Sequence, residues 1–176
     1  MTAAPLLATE RFELWQPVVD DLDGLVRLLE GDQMTRFLGP ARADHFSQSD
    51  RLLRNAGSWA LHGYGTCYVR RRGDREIIAN CGIFHSWRGF GKGLDDTPEA
   101  GWIVRQDCWG QGVAGEVMQA VLPWFHAKHG PRRVACMIEQ GNSASERVAA
   151  ALGFVWYDRH EADETTVLNL FERKPA

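Results

Sequence analysis

Hydrophobic and polar positions change their period several times along the chain, and each change marks an element. In 11–16, Phe12 and Leu14 alternate with Arg11 and Glu13, the two-residue period of a half-buried strand. The period then lengthens. Leu22, Leu25, Val26 and Leu29 fall at i, i+3, i+4 and i+7, the stripe of an amphipathic helix, with Asp20 or Asp21 placed to cap its start and Gly31 to end it. A second helix is expected from about Ser47 to Leu61, stopping at Gly63 and Gly65.

Strand formers return in 66–70 and 76–85, joined by Arg71-Arg72-Gly73-Asp74-Arg75, which predicts a hairpin whose arginines are solvated. Residues 86–97 contain Gly89, Gly91 and Gly93 and read as a mobile loop, and 99–105 as the next strand. Ala114, Val117, Met118, Val121, Leu122 and Phe125 keep helical spacing, so a helix should run from about Gln111 to Lys128, kinked or restarted at Pro123. A strand over 133–139, a short helix over 143–152 and a last strand over 165–171 complete the pattern. The order predicts a mixed α/β sheet with helices packed on its faces, in one domain spanning residues 1–176.

Composition narrows the function classes. The chain has 176 residues, 44% of them hydrophobic, and a formal charge of -3, so no broad basic face is available for nucleic acid or an anionic membrane, and neither partner is expected. The cysteines Cys67, Cys81, Cys108 and Cys136 form no C-x-x-C pair, so they read as buried thiols rather than zinc or redox groups, and no metal is expected. His126 and His129 stand at i, i+3 without a third ligand and read as surface residues near a helix end. With no signal-like start and no apolar run of spanning length, a cytoplasmic protein is expected.

The chemistry concentrates at Gly110-Gln111-Gly112-Val113-Ala114-Gly115, between a strand and an amphipathic helix. Glycines let the backbone turn sharply and expose N–H groups, and the helix start adds partial positive charge, which suits a phosphate. The same residues match G-x-G-x-x-G, and Glu139 could serve as a ribose-binding acid, so a nicotinamide-dependent oxidoreductase is one reading. Against it, residues 103–107 separate the strand body from Gly110, and too little chain follows Glu139 for further βα units.

A second reading uses more of the chain. Glu99-Ala100-Gly101-Trp102, then Trp109-Gly110-Gln111-Gly112-Val113-Ala114-Gly115-Glu116, then Asn142-x-x-Ser145-x-Arg147 and Leu152-Gly153-Phe154 resemble, in order and spacing, the signature of the GNAT acetyltransferases, and the RimJ/RimL-like branch in particular. Arg11-Phe12-Glu13-Leu14 and Trp59–Gly65 are also similar to that branch. The resemblance implies the acyl-CoA N-acyltransferase fold, a mostly antiparallel sheet of six to seven strands with a splay between the fourth and fifth. It also implies acetyl-CoA as cosubstrate and a primary amine, on a small molecule or a protein N-terminus, as acceptor, in a monomer or homodimer. A CoA-binding module without catalysis is the remaining alternative.

On that resemblance, backbone N–H groups of Gly110, Gln111, Gly112, Val113, Ala114 and Gly115 hold the CoA pyrophosphate, and Ile103 and Val104 pair with the pantetheine arm. Glu99 is the candidate base for the amine, provided burial lifts its pKa. Asn142 and Ser145, on one face of the last helix's first turn, are expected to point at the CoA arm, with helix capping as the alternative, and Ser145 is also the candidate to protonate the departing thiolate. Tyr157 is a further candidate for that acid, or else a packed aromatic. Trp109 replaces the polar residue usual at the start of the glycine turn, and Ala149 the usual tyrosine acid. Phe37, Trp59 and Trp87 are expected to line an aromatic, weakly acidic acceptor pocket.

Overall fold

The computed structural model describes residues 4–31, 33–39 and 42–175. The chain runs β1 (Leu7–Ala8), β2 (Phe12–Trp15), α1 (Leu22–Leu28), α2 (His45–His62), β3 (Thr66–Arg71), β4 (Ala79–Ser86) and β5 (Thr97–Val104). It continues through α3 (Val113–His129), β6 (Val134–Glu139), α4 (Ser143–Ala151), β7 (Val155–Glu161) and β8 (Val167–Arg173). The strands form one eight-stranded sheet in the order β1-β2-β3-β4-β5-β6-β8-β7. Every neighbouring pair is antiparallel except β5–β6.

Eight strands replace the six to seven expected. The additional ones are the two-residue β1 and the edge strand β7, whose charged, largely exposed Val-Trp-Tyr-Asp-Arg-His-Glu lacks the alternation that marks a half-buried strand. The expected splay is present. β5 and β6, the fourth and fifth strands of the sequence reading, share a single register pair, Glu99↔Ala135, beyond which the ladder stops.

Strand alternation gives the sheet two faces. Cys67, Cys81 and Ala100 lie on the face covered by α3 through Val117, Met118, Val121 and Phe125. Tyr68 and Ile103 lie on the other, against Leu25, Leu28 and Leu29 at α1 and Leu52 of α2. The loop after β4 covers the far part of that second face, where Leu94 is fully buried against Ala135 and Leu170. This loop, expected to be mobile, is pinned: Arg133 donates to Gly93 O at 2.6 Å, Tyr157 Oη to Lys92 O at 2.9 Å, and Phe90 stacks on His160.

Two other expectations change. α3 is one helix across Pro123, with no restart; Pro123 and Gln119, whose carbonyl would have accepted the missing N–H, are both exposed, so the lost bond lies on the solvent side of the helix. Asp21 does not cap α1 with its side chain. Its buried carboxylate accepts from Val18 N–H at 2.8 Å and from Arg70 at 2.5 Å.

Candidate active site

The glycine turn is shaped by local backbone preference. Gly110 and Gly112 have φ of +73° and +74°, the left-handed region in which a side chain is strained, and Gly112 is the N-cap of α3. The N–H groups of Val113, Ala114 and Gly115, in the first turn, have no carbonyl one turn earlier to bond, whereas Glu116 N–H reaches Gly112 O at 3.1 Å. A Cβ at Gly115 would meet nothing within 4 Å, so the helix start is open to close approach by a ligand.

The turn is braced from both sides. Trp109, expected to give no polar support, donates its indole N–H to Val104 O at 2.6 Å, and Gln111 donates to Asp107 O at 2.9 Å. Glu116 accepts from Thr9 Oγ1 at 2.6 Å and, bidentately, from the Arg11 backbone N–H at 3.1 Å and Arg11 Nε at 2.6 Å. Burial works to raise the Glu116 pKa, but the hydrogen bonds from Thr9 and Arg11 outweigh it and hold the carboxyl below its usual range.

Beside the turn lies a cavity of about 340 Å³ lined by Glu10, Arg11, Phe12, Arg71, Arg72, Gln111 and Val113. Arg11 donates to Gln111 O at 3.1 Å, Arg72 to Thr9 O, and Arg71 to Cys108 Sγ at 3.3 Å. Among the described residues, neither Arg71 nor Arg72 is paired with a carboxylate. These arginines, read from the sequence as a solvated turn, therefore bring uncompensated positive charge to the glycine turn. The signal was hidden because Arg11 and Arg71 come from strands distant in sequence and adjacent only in the sheet, at the Phe12↔Arg71 pairing.

At the splay, hydrogen-bond alternation decides which backbone groups are free. Arg105 N–H bonds Ile78 O, and Ile103 pairs with Asn80, so Gly101 and Ile103 spend their N–H and C=O groups on β4. Those of Trp102 and Val104 face the opening, with the Val104 carbonyl taken by Trp109. Of the pair expected to meet a pantetheine arm, Val104 faces the opening, whereas Ile103 spends its backbone groups on β4. Across the opening, Trp102 Nε1 donates to Ser145 Oγ at 3.3 Å, which leaves the Ser145 O–H free to donate. Asn142 is the N-cap of α4, accepting from Ser145 N–H at 3.1 Å, with its own amide N–H₂ still available.

Glu99 sits where β5 and β6 last touch, with its side chain only 4% exposed. Sequence reasoning missed its partner. Arg88, on the pinned loop, donates Nε at 2.9 Å and Nη2 at 2.7 Å to the two carboxylate oxygens. The bond to Glu99 raises the Arg88 pKa against the burial that would lower it. On the same face, Ser86 Oγ, Asn80 Oδ1 and Tyr68 Oη are buried without a hydrogen-bond partner among the described residues.

The three aromatic candidates have separate surroundings. Trp59 packs against Trp124, ring centroids 5.8 Å apart, and bonds Thr66 O; Trp87 is 72% exposed; and Phe37 lies half-buried under Arg36. Tyr157 Oη is spent on Lys92 O. His126 and His129 are half-buried rather than surface residues, each with a buried, unpartnered Nε2, and no metal-binding cluster occurs among the described residues. All four cysteines are free and buried. No described helix is long and apolar enough to cross a membrane.

Comparison with known proteins accounts for this arrangement. The chain is 24% identical over 151 residues to the uncharacterized N-acetyltransferase YoaA of Bacillus subtilis, covering 85% of this chain and 82% of that protein. A GnaT-family acetyltransferase from Bordetella pertussis superposes with a TM-score of 0.84 at 29% identity, covering 95% of this chain and 98% of that one. RimL, a ribosomal L7/L12 alpha-N-protein acetyltransferase solved in complex with coenzyme A, superposes with a TM-score of 0.74 at 16% identity, over 97% and 98% of the two chains. The antiparallel β4–β5 pairing and this kinship leave no place for a dinucleotide-fold oxidoreductase. Residues 11–155 match the Acetyltransferase (GNAT) domain, and the chain belongs to the GNAT family of N-acetyltransferases.

Proposed function

We propose that the protein moves an acetyl group from acetyl-CoA to a primary amine by direct attack in a ternary complex, in the manner of the RimJ/RimL-like branch. The observation that carries this reading is the open, positively braced start of α3 at the mouth of the β5–β6 splay. Phosphate fits there: Val113–Gly115 offer N–H groups and helix-start charge, and Arg11, Arg71 and Arg72 supply cations that the overall charge of -3 does not suggest. Trp102 and Val104 offer an open strand edge to the amide-bearing arm. Acetyl-CoA supplies the activated acyl group.

In the transfer, the amine nitrogen bonds to the acyl carbon and the carbon–sulfur bond breaks. A backbone N–H on the open edge of β5 stabilises the charge that develops on the thioester oxygen. Glu99 takes the proton that the amine loses, and the Ser145 hydroxyl gives a proton to the departing thiolate. The Trp102 indole N–H holds Ser145 Oγ toward the splay for that task.

Acetyl-CoA should raise the melting temperature, by mass action on the native state, whereas nicotinamide dinucleotides should not. Glu99→Gln should lower kcat about a hundredfold or more, and Ser145→Ala about tenfold, with acetyl-CoA binding kept. Failure of acetyl-CoA to stabilise the protein would sink the reading. Stabilisation with no thiol release across an amine panel would leave a CoA-binding module.

A further inference from the structure

Asp21 and Glu99 are the buried carboxylates among the described residues, and each is held by an arginine. The two pairs differ in what surrounds them. Asp21 and Arg70 face the α1 side with the arginine side chain 17% exposed, whereas Arg88 is 33% exposed and reaches Glu99 from the loop over the splay. Of the five guanidinium N–H donors of Arg88, Glu99 engages those on Nε and Nη2, and the rest are free for another acceptor.

The pair sets a condition on catalysis. To receive the amine proton, Glu99 must give up the charge that Arg88 pairs with, and a buried charge left without its counter-charge is unfavourable. An acceptor that is simply a cation would draw Glu99 but leave Arg88 unpaired and like-charged beside it. An acceptor that carries its own anion resolves both problems. Its ammonium faces Glu99, its anion faces the free donors of Arg88, and two ion pairs replace one.

The neighbouring charges do not offer Arg88 another partner. Asp95 is committed to the N–H groups of Gly89 and Gly91 at 2.7 and 2.8 Å. Asp96 lies 3.5 Å from His85, Asp158 faces Lys92 at 3.3 Å, and Glu172 is bound to Arg133 at 2.6 Å. The hydroxyl of Ser86, without a partner among the described residues, lies on the same face as Glu99, two pairs along the β4–β5 ladder, and adds hydrogen-bonding capacity.

Resting on the acetyltransferase reading, we infer that the acceptor is an amine bearing an anionic group a few bonds away, as in an α-amino acid, and that Arg88 selects it by exchanging partners with Glu99. This favours a small zwitterion over a protein N-terminus without acidic neighbours.

The test measures thiol release from acetyl-CoA by the full-length protein with L-α-amino acids, with the corresponding amino acid amides and with short peptides. For the wild type, kcat/KM should be about tenfold or more higher for the acid than for its amide. Arg88→Ala should lower kcat/KM for the acid about tenfold more than for the amide. Because Arg88→Ala leaves Glu99 unpaired and can impair folding, Arg88→Lys serves as the second variant. It keeps the charge without the fork, and should give an intermediate acid-to-amide ratio at a melting temperature nearer to that of the wild type than Arg88→Ala shows. Equal use of acid and amide by the wild type overturns the inference, as does an equal loss with both substrates in both variants, or activity confined to peptides without acidic residues. Those results leave the acetyltransferase reading intact when acetyl-CoA still stabilises the protein. Absence of both stabilisation and turnover ends that reading and this inference together.

Discussion

Glu116 shows how one side chain can join distant parts of the chain. Its two oxygens collect Thr9, the Arg11 amide and the Arg11 guanidinium, so the strand entry at β2 is tied to the first turn of α3. The same bonds offset its negative charge at a helix start meant for an anion. Glu116→Ala should therefore destabilise the protein by about 1–2 kcal/mol, the lower part of the range for charged hydrogen bonds because Arg11 stays half solvated. It should also weaken CoA binding; urea unfolding and a CoA titration read the two effects. Unchanged stability would mean that the network is incidental. At this scale the sequence was legible where a residue acts through its own backbone position, as with Asn142 at the N-cap or Gly112 at positive φ. It was silent about the pairing of Glu99 with Arg88, because a pair that closes across a glycine-rich loop leaves no periodic mark.

At the scale of elements, the glycines of the turn act by different means, and substitution separates them. Gly112 needs its φ of +74°, while Gly115 lies inside α3 with open space around it. Gly115→Ala should thus stabilise the helix by about 0.5–1 kcal/mol. The added methyl stands where a phosphate must approach the N–H groups, so CoA affinity should fall in the same variant. Opposite signs from thermal melts and from a CoA titration are the expected result, and unchanged affinity would place the phosphates elsewhere. Element types were legible where the apolar period was sustained, as in α3 from Val113 to Phe125. They were not legible in β7, an edge strand with a register shift at Trp156/Asp158 and mostly polar side chains, nor in β1, which is too short to show a period. The loop after β4 was read as mobile because its glycines are visible in sequence while the contacts that pin it, from Arg133, Tyr157 and His160, come from parts of the chain beyond α3.

For the whole molecule, the buried titratable groups set the pH response. The end of the sheet away from the glycine turn gathers His62 stacked on His85 at 3.9 Å, with Tyr64, Phe125 and His129 packed about them. Burial, and then the neighbouring His62, lower the His85 pKa, and burial lowers that of His126. An imidazole with a lowered pKa binds its proton more readily in the unfolded chain. Stability carried by these histidines is therefore complete above the ordinary value of about 6.5 and is lost as the pH falls through their folded values. Below that window the carboxylates act. Glu116 and Glu172, held low by their arginine partners against the opposing effect of burial at Glu116, lose their contribution as the pH drops below about 4.5. Asp21 runs the other way, since burial raises its pKa, and its protonation eases the cost of the buried charge. The melting temperature should consequently decline on acidification from about pH 7 to pH 5, before any carboxylate titrates in bulk. A His85→Gln, His126→Gln double variant should flatten that decline while keeping the loss below about pH 4.5. A wild-type melting temperature that rises between pH 7 and pH 5 would show that the histidine cluster is stabilised by protonation, which its burial and its stacked partner argue against.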